Sequence, residues 1–186
     1  MTMKLRIFIL SLMLTAALPG FAQSDIFSTK EGSITFFSSA PLEDIEAKNS
    51  KAISLLNTRN SEIAVRVPIK QFQFRNKMMQ EHFNENYMES ERYPHATFKG
   101  KINEALDFQK PGTYDVSATG ILNIHGVDQR RTLKGKLTIN GSGITLDTQF
   151  DVLLVDHKIK IPKIVFNKIA EKIAVTTRFD YSRQAK

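Results

Sequence analysis

The sequence of 186 residues contains no cysteine. Disulfides, thiolate nucleophiles, iron–sulfur clusters and cysteine-ligated zinc sites are therefore excluded, and so is a lipid anchor attached to an N-terminal cysteine. The four histidines, His82, His95, His125 and His157, show neither an H-x-H nor an H-x-x-x-H spacing, and no HExxH motif occurs. We therefore expect neither a metal ion nor another cofactor.

Long apolar runs are also scarce. The strongest is Ile7–Leu18, which at twelve residues falls short of the roughly 20 needed to cross a bilayer. Lys4 and Arg6 precede this run, and the small residues of Gly20–Ala22 follow it. A short apolar run between basic residues and a small-residue exit is typical of a secretory signal peptide.

We accordingly predict a cleaved signal peptide at residues 1–22 and one folded domain at residues 23–186. An uncleaved membrane anchor is the less favoured alternative. The predicted domain is long enough for a single hydrophobic core. A short signal before a chain without cysteine indicates a bacterial protein in the periplasm or secreted from the cell.

The motifs of catalysis are missing as well. Gly141-Ser142-Gly143 follows Asn140 in a hairpin pattern and does not match the G-x-S-x-G nucleophile elbow of serine hydrolases. No glycine-rich phosphate loop occurs, and no spacing brings together a nucleophile, a base and an orienting group. We predict that the protein is not an enzyme.

Basic residues exceed acidic ones, and the formal net charge is +7. Removal of Lys4 and Arg6 with the signal peptide would reduce it to +5. Such a surface suits nucleic acid, anionic lipid or acidic substrates. Export argues against nucleic acid, and so do charges spread singly along strand faces. Peripheral contact with a membrane stays open.

Alternation of apolar and polar residues dominates the rest of the chain and indicates strands with one buried face. Asn49-Ser50 is predicted to be a tight turn and Asn140–Gly143 a hairpin loop. A bulge or bend is expected where the apolar face changes between Ile69 and Phe72. The predicted strands are Ser33–Ser39, Leu42–Lys48, Ala52–Thr58, Glu62–Phe74, His95–Ile102, Tyr114–Ile124, Leu133–Ile139, Ile144–Leu154 and Ile173–Tyr181.

One helix is predicted at 76–88, where Met79, Phe83 and Tyr87 recur every four residues on one face. Strands with one apolar face can bury it by closing on themselves, which also removes exposed edges. The predicted fold is all-β: an antiparallel eight-stranded barrel with one short helix covering one end, and a β-sandwich is the alternative. Small inward residues, namely Ala96, Gly100, Ala118, Gly120 and Gly135, favour a hollow barrel, and the glycines also suit barrel corners.

Three stretches resemble the YceI-like family: HFNENYMESERYPHATFKGKI from His82, GILNIHGV from Gly120 and DHKIKIP from Asp156. The resemblance covers essentially the whole chain after the signal peptide. It implies a lipocalin-like barrel, exported from bacteria, whose tunnel holds a polyisoprenoid or another long-chain, lipid-like amphiphile. The family's Asp-x-x-His-Ser run is replaced by Thr35–Ser39 here, which bears on the identity of the ligand and not on the fold.

Aromatic residues cluster around the predicted helix and suggest a gate for an apolar ligand. An ordinary core that plugs one barrel end is the alternative. The predicted ligand-binding residues are Phe37, Phe72, Phe74, Met79, Phe83, Tyr87, Tyr93, Phe98, Leu122, His125 and Phe150. For His125, we weigh contact with a polar headgroup against a turn residue whose ring bonds nearby backbone. Lys158, Lys160 and Lys163 either pair with an anionic headgroup or form a solvated face.

The function that follows is an exported binding protein for transport, storage or sequestration of a long-chain ligand. Two other classes stay open. One is a barrel filled by side chains that binds a partner protein or an anionic membrane surface. The other is a lipid-modifying enzyme that uses His82 and His125. Whether the chain forms a homodimer also stays open.

Overall fold

A computed structural model describes residues 24–163 and 167–184. The predicted signal peptide lies outside these residues. The structure contains nine strands and one α-helix, α1, at Lys77–His82. The strands are β1 Ile26–Ser39, β2 Asp44–Asn57, β3 Glu62–Pro68, β4 Gln73–Phe74, β5 His95–Ile102, β6 Gly112–Ile124, β7 Val127–Asn140, β8 Gly143–Leu153 and β9 Lys172–Arg183.

Eight of the strands form a closed antiparallel barrel. The order around it is β1, β9, β8, β7, β6, β5, β3 and β2, and pairing of β2 with β1 completes the circle. The short β4 pairs with β2 through Ala47 and Phe74. Closure satisfies the backbone hydrogen bonds of every long strand. The predicted eight-stranded barrel is confirmed, and the β-sandwich alternative is wrong.

The two ends of the barrel differ. At one end, which we call the α1 end, the chain makes long excursions: residues 69–94, which include β4 and α1, and residues 154–171. At the opposite end, the far end, β7 and β8 are joined by a hairpin loop of two residues, Gly141 and Ser142, beyond the Asn140–Gly143 pair. Asn140 Oδ1 accepts hydrogen bonds from the backbone N–H groups of Ser142 and Gly143, both at 3.0 Å. The predicted hairpin at Asn140–Gly143 is confirmed.

The last strand shows how the alternation of side chains builds the barrel wall. On β9 the buried side chains are Ile173, Thr177, Phe179 and Tyr181, and the intervening Lys172, Thr176, Arg178 and Asp180 are exposed. Because successive side chains of a strand point to opposite faces, this sequence can place its charges in water only by turning its apolar residues inward. Burial on β9 follows the predicted pattern.

The predicted turn at Asn49-Ser50 is wrong, because β2 runs through it without reversing. The buried residues of β2 change from Ala47 and Asn49 to Ala52 and Ser54, so inward positions pass from odd to even numbers. The β1–β2 register is irregular opposite this point. Asn49 Nδ2 donates to the Pro68 carbonyl at 2.8 Å, and Asn49 Oδ1 accepts from the Lys51 N–H at 2.8 Å. These polar residues therefore produce a bulge rather than a chain reversal.

The single strand predicted at Glu62–Phe74 is also wrong in its second half. β3 ends at Pro68, and a 3₁₀ turn at Ile69–Gln71 separates it from β4. The Phe72 N–H donates to the Ile69 carbonyl at 3.2 Å within that turn. The expected change of face is present, and the chain makes it by bending through this turn, since Pro68 has no N–H to continue the ladder.

The helix predicted at 76–88 is present in two parts. Asn76 Oδ1 caps α1 by accepting from the Met78 and Met79 N–H groups at 2.8 and 3.4 Å. A π-helical turn at Phe83–Tyr87 continues α1, with the Met88 N–H donating to the Phe83 carbonyl at 2.9 Å. This arrangement turns Met79, Phe83 and Tyr87 toward the barrel interior.

Candidate ligand-binding site

The barrel is hollow. A cavity of about 590 Å³ lies inside it and is lined mainly by aliphatic and aromatic side chains from the strands and from α1. Its floor toward the far end includes Ile102, Leu146 and Phe179, all buried. The exposed residues of its lining, Met78 and His82 among them, lie at the α1 end. The cavity therefore opens to solvent at the α1 end.

The far end of the barrel is filled with side chains. Leu56, Leu137 and Ile144 are almost completely buried there. Tyr181 is buried with them and its hydroxyl lies 2.7 Å from the Ser54 hydroxyl, and burial raises the pKa of Tyr181. Within the described residues, the cavity is therefore closed at the far end and open to a ligand at the α1 end.

Small residues create the space on one side of the cavity. Ala96, Ala118 and Gly135 all lie on the cavity wall, as predicted. The inward Gly100 and Gly120 have another role, because they face each other in the β5–β6 pair and a Cβ on Gly120 would collide with the backbone of Lys99 and Gly100. These two glycines allow close approach of strands.

Four phenylalanines form an aromatic cluster at the opening of the cavity at the α1 end, which we call the mouth: Phe36, Phe72, Phe74 and Phe83. The Phe36 ring lies 5.3, 5.7 and 5.4 Å, centroid to centroid, from the rings of Phe72, Phe74 and Phe83. Phe83 lies 5.6 and 5.0 Å from Phe72 and Phe74. Each such pair contributes about 0.5–1.5 kcal/mol beyond its buried area. The cluster thus fixes the segment around α1 to the barrel and forms an apolar entrance.

The structure brings together eight of the eleven predicted binding residues on the cavity wall. They are Phe72, Phe74, Met79, Phe83, Tyr87, Phe98, Leu122 and Phe150. Tyr87 is only partly exposed, and desolvation raises the pKa of its hydroxyl. Phe36 is a lining residue that the prediction missed, although it shares a face with Ile34 in the sequence pattern.

The position expected for Phe37 is corrected by the structure. Phe37 is 39% exposed, and it is Phe36 that lines the cavity. Ile34 and Phe36 point inward on β1, so the side chain between Phe36 and Ser38 must point outward. A ligand in the cavity would contact Phe36 and not Phe37.

Tyr93 and His125 also lie off the cavity wall, where their rings pack against each other. Their rings are 4.6 Å apart, centroid to centroid. His125 Nε2 lies 3.1 Å from Glu89 Oε1, and His125 Nδ1 lies 3.2 Å from the carbonyl oxygen of His157. His125 has a left-handed φ of 52° in the β6–β7 turn. The interpretation of His125 as a turn residue bonded to backbone is confirmed, and its ring joins the 89–94 segment to residue 157.

His157, whose carbonyl oxygen contacts the His125 ring, is completely buried. Its Nδ1 lies 3.3 Å from the carbonyl oxygen of Val127, and its Nε2 has no partner among the described residues. Burial lowers the pKa of His157, because a charged imidazolium would lose its hydration. The site therefore favours the neutral ring, which anchors the turn at 154–157 to the start of β7.

Apart from the Tyr87 phenol, the titratable side chains of the lining sit at the mouth. They are Glu43, His82 and Lys168. Lys158, Lys160 and Lys163 are exposed at the same end and are not part of the cavity wall. In residues 24–163 and 167–184 no group of three His, Asp or Glu side chains is placed to hold a metal ion. Nor does this part of the chain contain a helix long and apolar enough to span a membrane.

Fold and site together define a hollow antiparallel barrel with an apolar cavity that opens under a short helix. The model of the YceI-like domain matches residues 20–181, and the chain belongs to the YceI-like family. Comparison with curated proteins finds no match.

Solved structures share the fold at low sequence identity. A polyisoprenoid binding domain from Saccharophagus degradans, implicated in plant cell wall breakdown, is 14% identical with a TM-score of 0.71, and the alignment covers 87% of this chain and all of that one. BcnA of Burkholderia cenocepacia is 16% identical with a TM-score of 0.67, covering 79% and 94% of the two chains. A Campylobacter jejuni YCEI protein is 17% identical with a TM-score of 0.56, covering 73% and 81%.

Proposed function

We propose that this chain is an exported, non-enzymatic binding protein that holds a long-chain apolar ligand in its barrel. The ligand is a polyisoprenoid or another lipid-like amphiphile, and the protein serves to transport, store or sequester it in the periplasm or outside the cell. The observation that supports the proposal is the apolar cavity of about 590 Å³ that opens at the α1 end. A structural neighbour named as a polyisoprenoid binding domain supports the class of ligand.

The size of the cavity suits a long chain. At about 30 Å³ per water-sized group, 590 Å³ accommodates roughly 20 such groups, which is room for an acyl or isoprenoid chain. Burial of each methylene contributes about 0.8 kcal/mol. Association costs several kcal/mol in lost freedom, so a short chain would bind weakly and a long one well.

The mouth is suited to a ligand with a polar end. Polar side chains are concentrated there, with Glu43, Asn76, His82 and Lys168 on the lining. A headgroup at this position stays in contact with water, and the chain fills the apolar part of the barrel. The proposal places the eight predicted wall residues and Phe36 in contact with the chain.

Native mass spectrometry of the protein, purified from its own cell envelope without detergent, tests the proposal. We expect an adduct that organic extraction releases as a long-chain apolar molecule. The stripped protein should then bind geranylgeraniol and a dansyl-labelled undecanoic acid with dansyl fluorescence enhanced. The proposal is overturned if no adduct is found and the stripped protein binds neither probe.

A second role is favoured by the surface around the mouth. Leu42 is 70% exposed and Val155 is 76% exposed at the α1 end. Lys158, Lys160 and Lys168 are exposed at the same end. Exposed apolar side chains beside lysines suit the surface of an anionic membrane. We propose peripheral contact there during loading, and expect salt-sensitive sedimentation with phosphatidylglycerol vesicles but not with phosphatidylcholine vesicles.

A further inference from the structure

Two threonines provide hydroxyl groups to the cavity wall below the mouth. Thr148 on β8 and Thr177 on β9 are directly paired in the register, and both line the cavity. Their Oγ1 atoms lie 2.8 Å apart. Thr177 is five residues from Lys172 at the mouth, a distance of about 16 Å measured along β9. The pair thus lies well below the polar groups of the mouth.

The hydrogen-bonding capacity of this pair is not exhausted. Each hydroxyl has one hydrogen, and the contact between the two uses one hydrogen in all. Within the described residues neither Oγ1 makes another hydrogen bond to protein. One hydroxyl hydrogen is consequently available to an acceptor that enters the cavity.

The strands β7 and β8 approach each other closely next to the pair. Gly135 on β7 is directly opposite Thr148 in the register and also lines the cavity. A Cβ at Gly135 would lie 2.5 Å from the Asp147 carbonyl oxygen and 2.9 Å from Thr148 Cγ2, so no side chain fits there. The row at this level continues with Ile34 on β1 and Val116 on β6, both apolar. The two hydroxyls are therefore flanked at this level by Gly135 and by apolar side chains.

The chemistry of this level selects a neutral group. No charged side chain of the described lining lies here, since Glu43 and Lys168 are at the mouth. An anionic group would lose its hydration with only one hydroxyl donor to replace it, which is unfavourable by several kcal/mol. A carbonyl or hydroxyl oxygen loses far less and gains a hydrogen bond.

We propose that Thr148 and Thr177 form a polar subsite that binds a neutral oxygen group, a carbonyl or hydroxyl, of the long-chain ligand. This inference rests on the proposed function. It gives the ligand a fixed depth in the barrel and a preference for oxygenated chains over hydrocarbons. It also excludes a charged group from this level, so that any charged group of the ligand stays at the mouth.

The test compares methyl pentadecyl ketone with heptadecane, which have equal numbers of carbon atoms, by displacement of the dansyl probe. The variant is T148V/T177V, which keeps side-chain shape and removes both hydroxyls. The control is T113V/T138V, which removes a threonine pair with Oγ1 atoms 3.1 Å apart on the exposed face. We expect T148V/T177V to weaken ketone binding about 3- to 10-fold and to leave heptadecane binding unchanged or tighter, and the control to change neither.

A measurement on the unaltered protein makes the result independent of how the variant folds. The infrared carbonyl stretch of the bound ketone should fall to the lower frequency of a hydrogen-bonded carbonyl. The inference is overturned if the stretch matches that of the ketone in hexane, or if both ligands weaken equally in T148V/T177V. If the unaltered protein binds the probe but the ketone and heptadecane compete equally, the subsite fails and the proposed function stands. If it binds no probe, both fail.

Discussion

The hydroxyl groups of Ser54 and Tyr181 lie 2.7 Å apart, buried in the far end of the barrel, although the two residues are 127 positions apart in the sequence. Ser54 Oγ also lies 3.2 Å from the carbonyl oxygen of Ala64, to which it donates. Because the single hydroxyl hydrogen of Ser54 is donated to the Ala64 carbonyl, the Tyr181 hydroxyl is the donor in its hydrogen bond with Ser54. This direction makes the two residues unequal.

Removal of Ser54 should destabilise the protein more than removal of the Tyr181 hydroxyl. S54A leaves a buried phenol without a partner, which costs about 1–3 kcal/mol, whereas Y181F loses one hydrogen bond at about 1 kcal/mol. Urea denaturation gives both values. The double variant should cost less than the sum of the two, because both remove the same bond. An S54A cost below that of Y181F would reverse the assigned donor.

Phe36 and Phe37 provide a matched pair of neighbours on opposite faces of β1. F36A removes three aromatic contacts and should reduce the free energy of unfolding by about 2–4 kcal/mol and weaken binding of the dansyl probe. F37A should cost under about 1 kcal/mol and leave binding unchanged, since Phe37 is 39% exposed. Equal effects of the two substitutions on binding would contradict the assignment of Phe36 to the entrance.

A bulky side chain within the cavity should block binding without unfolding the barrel. A118F directs a ring from β6 into the cavity, so the affinity for the dansyl probe should fall more than about 10-fold. The free energy of unfolding should change by less than about 1.5 kcal/mol because the ring occupies space that is already present. I121F is the control, since Ile121 is 39% exposed on the outer face of the same strand. Full binding by A118F would place the ligand elsewhere.

Stability should decline on mild acidification because of His157. Burial lowers the pKa of His157 in the folded protein below the ordinary value of 6.5, so the unfolded chain takes up the proton first. As the pH falls below about 6.5, the unfolded state is increasingly favoured, by at most about 1.4 kcal/mol per pH unit for this one group. Above that pH both states are neutral and this contribution is absent.

Urea denaturation at pH 7.5 and pH 5.5 measures this effect. H157N should be less stable at the higher pH, since it loses packing, yet show a smaller difference between the two conditions. H95Q, which alters an exposed histidine, should retain the full difference. An undiminished difference in H157N would assign the pH dependence to other groups.

Sequence patterns predict this fold well wherever one strand face is apolar and the other charged. On β9 the alternation from Ile173 to Tyr181 left no other arrangement, and the helix spacing of Met79, Phe83 and Tyr87 placed all three on the cavity wall. The pattern fails where tertiary contacts override local preference. Asn49 looks like a turn residue, but its side-chain amide donates a hydrogen bond to the Pro68 carbonyl on β3.

The site was predictable only in its apolar part. Aromatic residues near the helix indicate an entrance, and that indication held for Phe72, Phe74 and Phe83. The Thr148–Thr177 pair depends on the β8–β9 register across a long connection, and no local pattern distinguishes it from threonines on the outer face. Likewise His125 meets His157 from 32 positions away, which sequence spacing does not reveal.

The contrast between the two barrel ends bears on how the protein can be handled. The Gly141-Ser142 loop is exposed, and a side chain added at Gly141 would touch nothing within 4 Å. It lies at the opposite pole from the entrance. A cysteine introduced at Gly141 would be the sole thiol in the chain, so a fluorophore or a solid support could be coupled there with the entrance facing freely into solution.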